Sequence, residues 1–516
     1  MANTALFAST RGALLPQQDV RNHAGGTAYA LSPKAALAQL AATGCLRGTY
    51  YASAERQLDE VVGWLSRVEP RFIAQVALHC RETAGMKDMP ALLLAWLAQA
   101  DGALGAQVFE RVVDNGRMLR NFVQILRSGV VGRKSLGSRP KRWVQQWLHK
   151  ASVTQLLQAA VGQQPSLADV VKLVHPQATD AARNALYAWL IGRPYDVAAV
   201  PQEVREFEDF KAGRSTDLPR VPWQMLTALP LDTAAWTALA ARFNWQTLRM
   251  NLNTLLRHGV FENRAVVQDV AARLSDRRAI RKARAQPYQL LNAWRNVDVR
   301  MPRLIVRALE DAMEIAIDNV PQLPGLTVVC VDVSGSMQSP LTGHQQGATS
   351  TLRCIDVAAL FGAAMHRRNE DCVVLPFAEG PKPIRLNPRD SVSTQAEQLV
   401  ALGGGGTAIG AALAWINQQG LKPQTVIVVS DNESWADARN GASRTLREFA
   451  QIQRRQPTAR LVCLDLQPYA TTQAPDSPAV LNVGGFSDAV FGVIAQFAHV
   501  AGDARHWVEM IEAIEV

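Results

Sequence analysis

Apolar residues recur at three- and four-residue intervals through most of residues 31–318, in segments such as QLDEVVGWLSRV, ALLLAWLAQA, RWVQQWLHKAS, SLADVVKLV, ARNALYAWLIG, WQTLRMNLNTLLRHG and AVVQDVAARL. That period puts the apolar side chains on one face of a helix, so the stretch predicts helix after helix with almost no strand-like alternation. Breaks at Gly and Pro, as in GRPYD (192–196) and LPRVPW (218–223), divide it into short amphipathic units. No strict repeat period emerges. Units this short cannot bury their own apolar faces, which favours an all-α, HEAT-like solenoid of stacked helix pairs over a compact bundle.

After Pro324 the pattern changes. LTVVCVD, CVVLPFA, TVIVVSD and ARLVCLDL are short runs rich in Val, Ile and Leu, each too short for a buried helix. Helical segments such as RCIDVAALFGAAMHRR and IGAALAWINQQG separate them. Strands alternating with helices predict a parallel sheet covered on both faces, the α/β doubly wound arrangement. LNVGGFSDAVFGVIAQFAHV reads as a closing helix. A chain of 516 residues exceeds what one core supports. The expected organisation is multidomain, with a helical region at 1–322 and an α/β region at 323–516.

Charge strengthens that division. The net charge of +9 splits into +13 for residues 1–320 and −4 for residues 321–516, which assigns any polyanionic partner to the first region. The six cysteines (Cys45, Cys80, Cys330, Cys354, Cys372, Cys463) lack C-x-x-C spacing, and three of them sit inside apolar runs, a pattern suited to a reducing compartment. The N-terminus has no basic region leading into an apolar one, and no run of about 18 apolar residues occurs. The expectation is a cytoplasmic protein with no membrane partner.

In open parallel sheets, ligands bind beyond the carboxyl ends of the strands. Asp332, Ser334 and Ser336 follow the first strand, Asp431 follows TVIVVS, and Gly403 to Gly406 lead to Thr407 at the start of the intervening helix. Two carboxylates and three hydroxyls suit a small hard divalent cation, and the expected ion is Mg²⁺. The glycines free the backbone to bring Thr407 towards the ion. Each residue also has an ordinary use, since Ser caps helices and Asp occupies turns. Three loops in the right order along a strand–helix alternation favour the metal. The five positions match the metal-ion-dependent adhesion site of von Willebrand A domains. Glu433 reads as a surface charge.

Between Asp114 and Asp169 there is no acidic residue and there are nine basic ones: Arg117, Arg120, Arg127, Arg133, Lys134, Arg139, Lys141, Arg142 and Lys150. Such a local excess is what phosphate recognition needs. Trp143, Trp147 and His149 interleave with them; stacking on bases is one use, and core packing is the favoured one, since the tryptophans lie four apart on one helix face. A second basic run, Arg273, Arg277, Arg278, Arg281, Lys282 and Arg284, has only Asp276 as counterweight and serves either a polyanion or solubility. Ser166 to Asp169 resembles a capping-box start. Lys172 and His175 would then close the helix, either as dipole partners or as nucleic-acid contacts.

Taken along its length, the chain resembles the Ro autoantigen family, a TROVE domain followed by a von Willebrand A-like domain. The resemblance is carried by GTYYAS (48–53), KDMPALLLAWLA (87–98), SGVVGRKSLGSRPKRWVQQWL (128–148), SLADVVKLVHP (166–176) and RKARAQPYQLLNAW (281–294), then by VDVSGSM, GGGGTAIG, VVSDNESWA and VGGFSDAVFGVI. It implies a ring of helical repeats whose basic outer surface binds small structured non-coding RNAs of the Y RNA kind. It further implies a central hole that accepts single-stranded 3′ ends of misfolded RNA, and work beside an exoribonuclease or other RNA-processing enzyme. His175 and Lys172 match a helix end implicated in RNA contact, and Arg133 lies in the matching G-R segment. The neutral stretch Gln158 to Gln164 departs from relatives that carry cations there, which shifts or weakens the footprint.

The expected function is an RNA quality-control scaffold and no enzyme, because no catalytic arrangement of Ser/His/Asp, Cys/His or paired carboxylates stands out. The alternative is a metal-dependent protein-adhesion module with a structural helical half. A metal-dependent nuclease is the least favoured reading, since the metal loops lack an obvious general base.

Overall fold

A computed structural model describes residues 15–16, 18–22, 25–42, 54–162, 164–341, 352–431, 443–467, 469, 471–475, 477–485, 489–499 and 507–516. GTYYAS, Cys45 and Glu433 lie outside the described residues. The chain packs as two compact units, each assembled from separate segments: 65–274 with 297–306 and 511–516, and 1–64 with 275–296 and 307–510.

The first unit is helical throughout its described residues. Helices Pro70–Leu78, Asp88–Ala100, Gly102–Val112, Gly116–Ser128 and Ser138–Lys150 follow one another with short turns. Several starts are fixed by side chains that satisfy the open backbone N–H groups: Asp101, Asn115, Ser152 and Ser166 all accept such bonds. Phe72, Ile73, Met89, Leu92 and Phe122 are fully buried between these helices, so each short helix relies on its neighbours for a core. The expected helical region is therefore present, and breaks fall near the Gly and Pro positions read from the sequence.

The second unit is built on a five-stranded parallel sheet. Its strands are β3 (Thr327–Asp332), β4 (Cys372–Phe377), β5 (Thr425–Ser430), β6 (Arg460–Asp465) and β8 (Val480–Gly484), in the order β4-β3-β5-β6-β8. Alternate side chains serve opposite faces. Val328, Cys330, Val426 and Val428 join Ile409, Leu413, Leu446 and Phe449 in one core, while Val331 meets helix Cys354–Arg368 on the other face. At that second contact Gly362 lies so close that a Cβ would stand 2.7 Å from Val331 Cγ2. Cys80, Cys330, Cys354, Cys372 and Cys463 are buried and in no disulfide among the described residues.

One expectation is corrected. LNVGG does not open the closing helix: it forms β8, pairing with β6, and the helix begins at Ala489. A five-residue segment cannot be assigned by periodicity when its partner strand is distant in sequence. Strands also occur early, where β1 (Val20–Arg21) pairs with β2 (Thr27–Ala30), which pairs in turn with β7 (Thr471–Thr472). Tyr29 on β2 is buried in the core of the α/β unit. Its Oη donates to Pro16 O (3.0 Å) and accepts from Ser443 N (2.9 Å). Each compact unit draws on segments from both sides of residue 322. Helices Pro287–Arg295 and Arg303–Ala316 fall largely with the α/β unit, because Arg295 pairs with Asp356 and Glu314 with Arg367.

Candidate metal site and nucleic-acid interface

The order β4-β3-β5-β6-β8 creates a crevice between the carboxyl ends of β3 and β5, where connections leave towards opposite edges of the sheet. Asp332 is the last residue of β3, and Asp431 comes directly after β5. Ser334 and Ser336 bring their hydroxyls to 3.2 Å of each other. The glycine loop is joined to this turn by two backbone bonds, Gly404 N to Val333 O (2.7 Å) and Gly335 N to Gly405 O (2.9 Å). Gly404 and Gly405 hold φ of +121° and +101°, which side chains resist, so the glycines are what lets this loop approach. Asp332, Ser334, Ser336, Thr407 and Asp431 are all buried.

The electrostatics of this crevice disfavour two ionised carboxylates side by side. Burial raises the Asp332 carboxyl above its ordinary range, and the charge of Asp431 adds to the effect. Hydrogen bonds from Ser430 Oγ (2.5 Å to Oδ2) and Ser334 N (2.8 Å to Oδ1) act the other way. Sequence reasoning missed Ser430, whose only signal is its place immediately before Asp431. Among the described residues no cluster of three His, Cys, Asp or Glu side chains forms a metal site. A cation here would depend on hydroxyls as well as carboxylates, and that all-oxygen donor set fits Mg²⁺.

The first basic run lies on helices Gly116–Ser128 and Ser138–Lys150 and the turn between them. Arg117, Arg127, Lys134, Arg139 and Arg142 are exposed, and Lys141 is half-buried. Arg120 is engaged within the fold, where its Nη2 donates to Val161 O at 2.7 Å and burial lowers its pKa. The half-buried Arg133 lays its guanidinium over Gly137. Trp143 is core, with Phe109 and Phe122 at 5.5 and 6.3 Å between ring centroids, and Trp147 anchors its indole N–H on Val113 O.

A groove of about 530 Å³ opens beside helix Ser138–Lys150, lined by Arg142, Gln145, Gln146, His149, Lys150, His175 and Gln177. Among the described residues no carboxylate lines it, although the lining Lys150 pairs with Glu110. Ser166 and Asp169 form the capping box that starts helix Leu167–Val174, and His175 ends that helix in the left-handed region at φ 49°. Gln145 Nε2 donates to Val174 O at 2.7 Å and so fixes this helix end against the groove. The glutamines are contacts that sequence reasoning missed, because a neutral amide carries no charge signal. Lys172 is exposed in the last turn of the helix but does not line the groove.

In the second basic run, Arg273 donates to Ala240 O and Phe243 O, and Arg277 and Arg281 both pair with Asp318 at 2.7 and 3.0 Å. Arg278, Lys282 and Arg284 remain exposed. Arg273 belongs to the helical unit and the others to the α/β unit.

Short helices ahead of a doubly wound sheet with a two-aspartate crevice define a protein with a helical region and a von Willebrand A-type domain. The model described as the TROVE domain matches residues 138–313, and that described as the Ro60 vWA domain matches residues 327–498. The chain is thus similar to Ro proteins in both its helical and its α/β region. The RNA-binding protein RO60 of Deinococcus radiodurans is 28% identical over 520 residues, covering 94% of this chain and 96% of that protein. Its namesake from Caenorhabditis elegans is 24% identical over 287 residues, 51% of this chain and 42% of that protein. The crystal structure of the Deinococcus radiodurans RO (RSR) protein matches with a TM-score of 0.64 at 25% identity, over 90% of this chain and 99% of that one.

Proposed function

We propose that the protein is an RNA-binding scaffold whose helical unit grips phosphates while its α/β domain holds Mg²⁺. The observation that carries the RNA reading is the groove beside helix Ser138–Lys150, whose lining among the described residues combines cations and amides without a carboxylate. Cations there neutralise phosphates, and the amides and His149 offer hydrogen bonds to sugar or base edges. The name of the Deinococcus relative, similar over nearly the whole length of both chains, supports the same reading. The RNA class proposed is small structured non-coding RNA of the Y RNA kind, together with misfolded RNA bearing single-stranded 3′ ends. An exoribonuclease or related enzyme would act on what the scaffold presents, and the protein itself performs no chemistry. Electrophoretic titration of such RNA tests this at several salt concentrations. Arg142→Ala and His175→Ala are expected to weaken binding, and removal of Arg142 to reduce the slope of log affinity against log salt by about 1. Binding no tighter than to a neutral control would overturn the reading.

In the α/β domain, Asp332, Ser334, Ser336, Thr407 and Asp431 would hold the ion, which supplies a positive charge to the crevice and offers an open position to an acidic group. A second reading, a metal-dependent adhesion module, draws on this same buried oxygen set. Asp332→Ala separates the two. Loss of an acidic protein partner with RNA binding intact would favour adhesion, and a pulldown unaffected by the substitution would remove it.

A further inference from the structure

Asp356, in the first turn of helix Cys354–Arg368, has a carboxylate with no exposure to solvent. A charge buried in this way is costly unless its oxygens are fully satisfied. Arg353 provides N (2.9 Å) and Nε (3.1 Å) to Oδ2 and Nη2 (2.7 Å) to Oδ1. Arg295, 23% exposed, approaches Oδ2 at 2.6 Å with Nη1. A helix start needs one acceptor at this position, and a neutral residue would serve. Two arginines converging on one buried carboxylate exceed that need.

Both ends of the cluster lead elsewhere in the unit. Arg353 Nη1 donates to Gln338 Oε1 at 2.6 Å, and Gln338 ends the short 3-10 turn that begins at Ser336. The Gln338 amide also packs on Gly403, where a Cβ would stand 3.0 Å from its Nε2. Gln338 therefore touches both the Ser336 turn and the glycine loop that carries Thr407. At the other end Arg295 is the last residue of helix Pro287–Arg295, in the stretch matched by the TROVE model.

We infer that Gln338, Arg353, Asp356 and Arg295 are positioning residues of the metal site, which hold its two loops in register and transmit metal occupancy to helix Pro287–Arg295. The inference rests on the Mg²⁺ reading above. Linkage makes the effect reciprocal: if ion binding steadies the helix, contacts that steady the helix tighten ion binding by the same factor. Gln338 accepts the bond from Arg353 with its exposed side chain, so its truncation disturbs no core.

The test uses the full chain titrated with MgCl₂ by calorimetry, with amide hydrogen exchange of residues 287–295 followed with and without the ion. In the wild type, Mg²⁺ is expected to slow exchange in that helix. In Gln338→Ala and in Arg295→Met, Mg²⁺ affinity should fall roughly tenfold, the low end for outer partners of metal ligands, and the exchange response should vanish. Arg295→Lys should restore part of it. A role confined to helix capping predicts instead unchanged affinity and an intact exchange response in Gln338→Ala, which overturns the inference. Heat evolved by wild type but not by Asp332→Ala, with exchange at 287–295 indifferent to the ion, overturns it while leaving the metal reading standing. Absence of Mg²⁺ binding in the wild type overturns both.

Discussion

At the residue scale, two neighbours on one helix have opposite consequences. Trp143 packs against Phe109 and Phe122, whereas Arg142 lines the groove. Trp143→Ala should cost about 3–5 kcal/mol in denaturant unfolding, the range for removing a buried aromatic, while Arg142→Ala should leave the midpoint unchanged. Their i and i+4 spacing showed that Trp143 and Trp147 share a face, but a basic, aromatic segment alone does not say which face is buried. Asp332 gives a prediction in pH. Its folded-state pKa is raised by burial and by Asp431, so between the ordinary carboxylate range and neutrality the metal-free folded chain binds more protons than the unfolded one. Metal-free stability should therefore fall as pH rises through that window. Mg²⁺ requires the ionised pair, so the increase in melting temperature it produces should grow over the same window. A metal-induced shift that is flat or shrinks with rising pH would contradict this account.

At the element scale, the glycine run is where the sequence was most explicit. Four successive glycines before a hydroxyl residue are hard to account for except by backbone freedom, and Gly404 and Gly405 do adopt positive φ. Around Gly405 a Cβ would find only ordinary contacts, the nearest at 3.5 Å. Gly405→Ala should thus report backbone strain rather than a clash, costing about 1–3 kcal/mol and weakening Mg²⁺ binding, as read by thermal melts and calorimetry. The capping box at Ser166 was also legible, because its spacing is local. What local spacing could not show is that His175 turns into the left-handed region and that Gln145, 29 residues away along the chain from Val174, fixes that helix end.

At the scale of the whole molecule, the first strands of the chain belong with the last part of it. Tyr29 lies in the core of the α/β unit and bonds through its hydroxyl to both Pro16 and Ser443. Tyr29→Phe should lower the stability of that unit by roughly 1–3 kcal/mol, seen as a lower melting temperature, because the buried Ser443 N–H loses its acceptor. An unchanged melt would mean that the early strands contribute little. The sequence by itself determined the helical first region, the parallel sheet and the candidate metal residues, since periodicity, strand–helix alternation and loop spacing are local properties written in consecutive residues. Only the tertiary structure decided that LNVGG is a strand, that Tyr29 and Arg295 pack with the α/β domain, and which cations of a basic run are exposed. Arg120, Arg277 and Arg281 have the same composition signal as Arg142, yet carbonyls or Asp318 already engage them. The metal crevice follows the same division: its residues could be read in the chain, but the repulsion between Asp332 and Asp431 arises only when the sheet sets β3 beside β5.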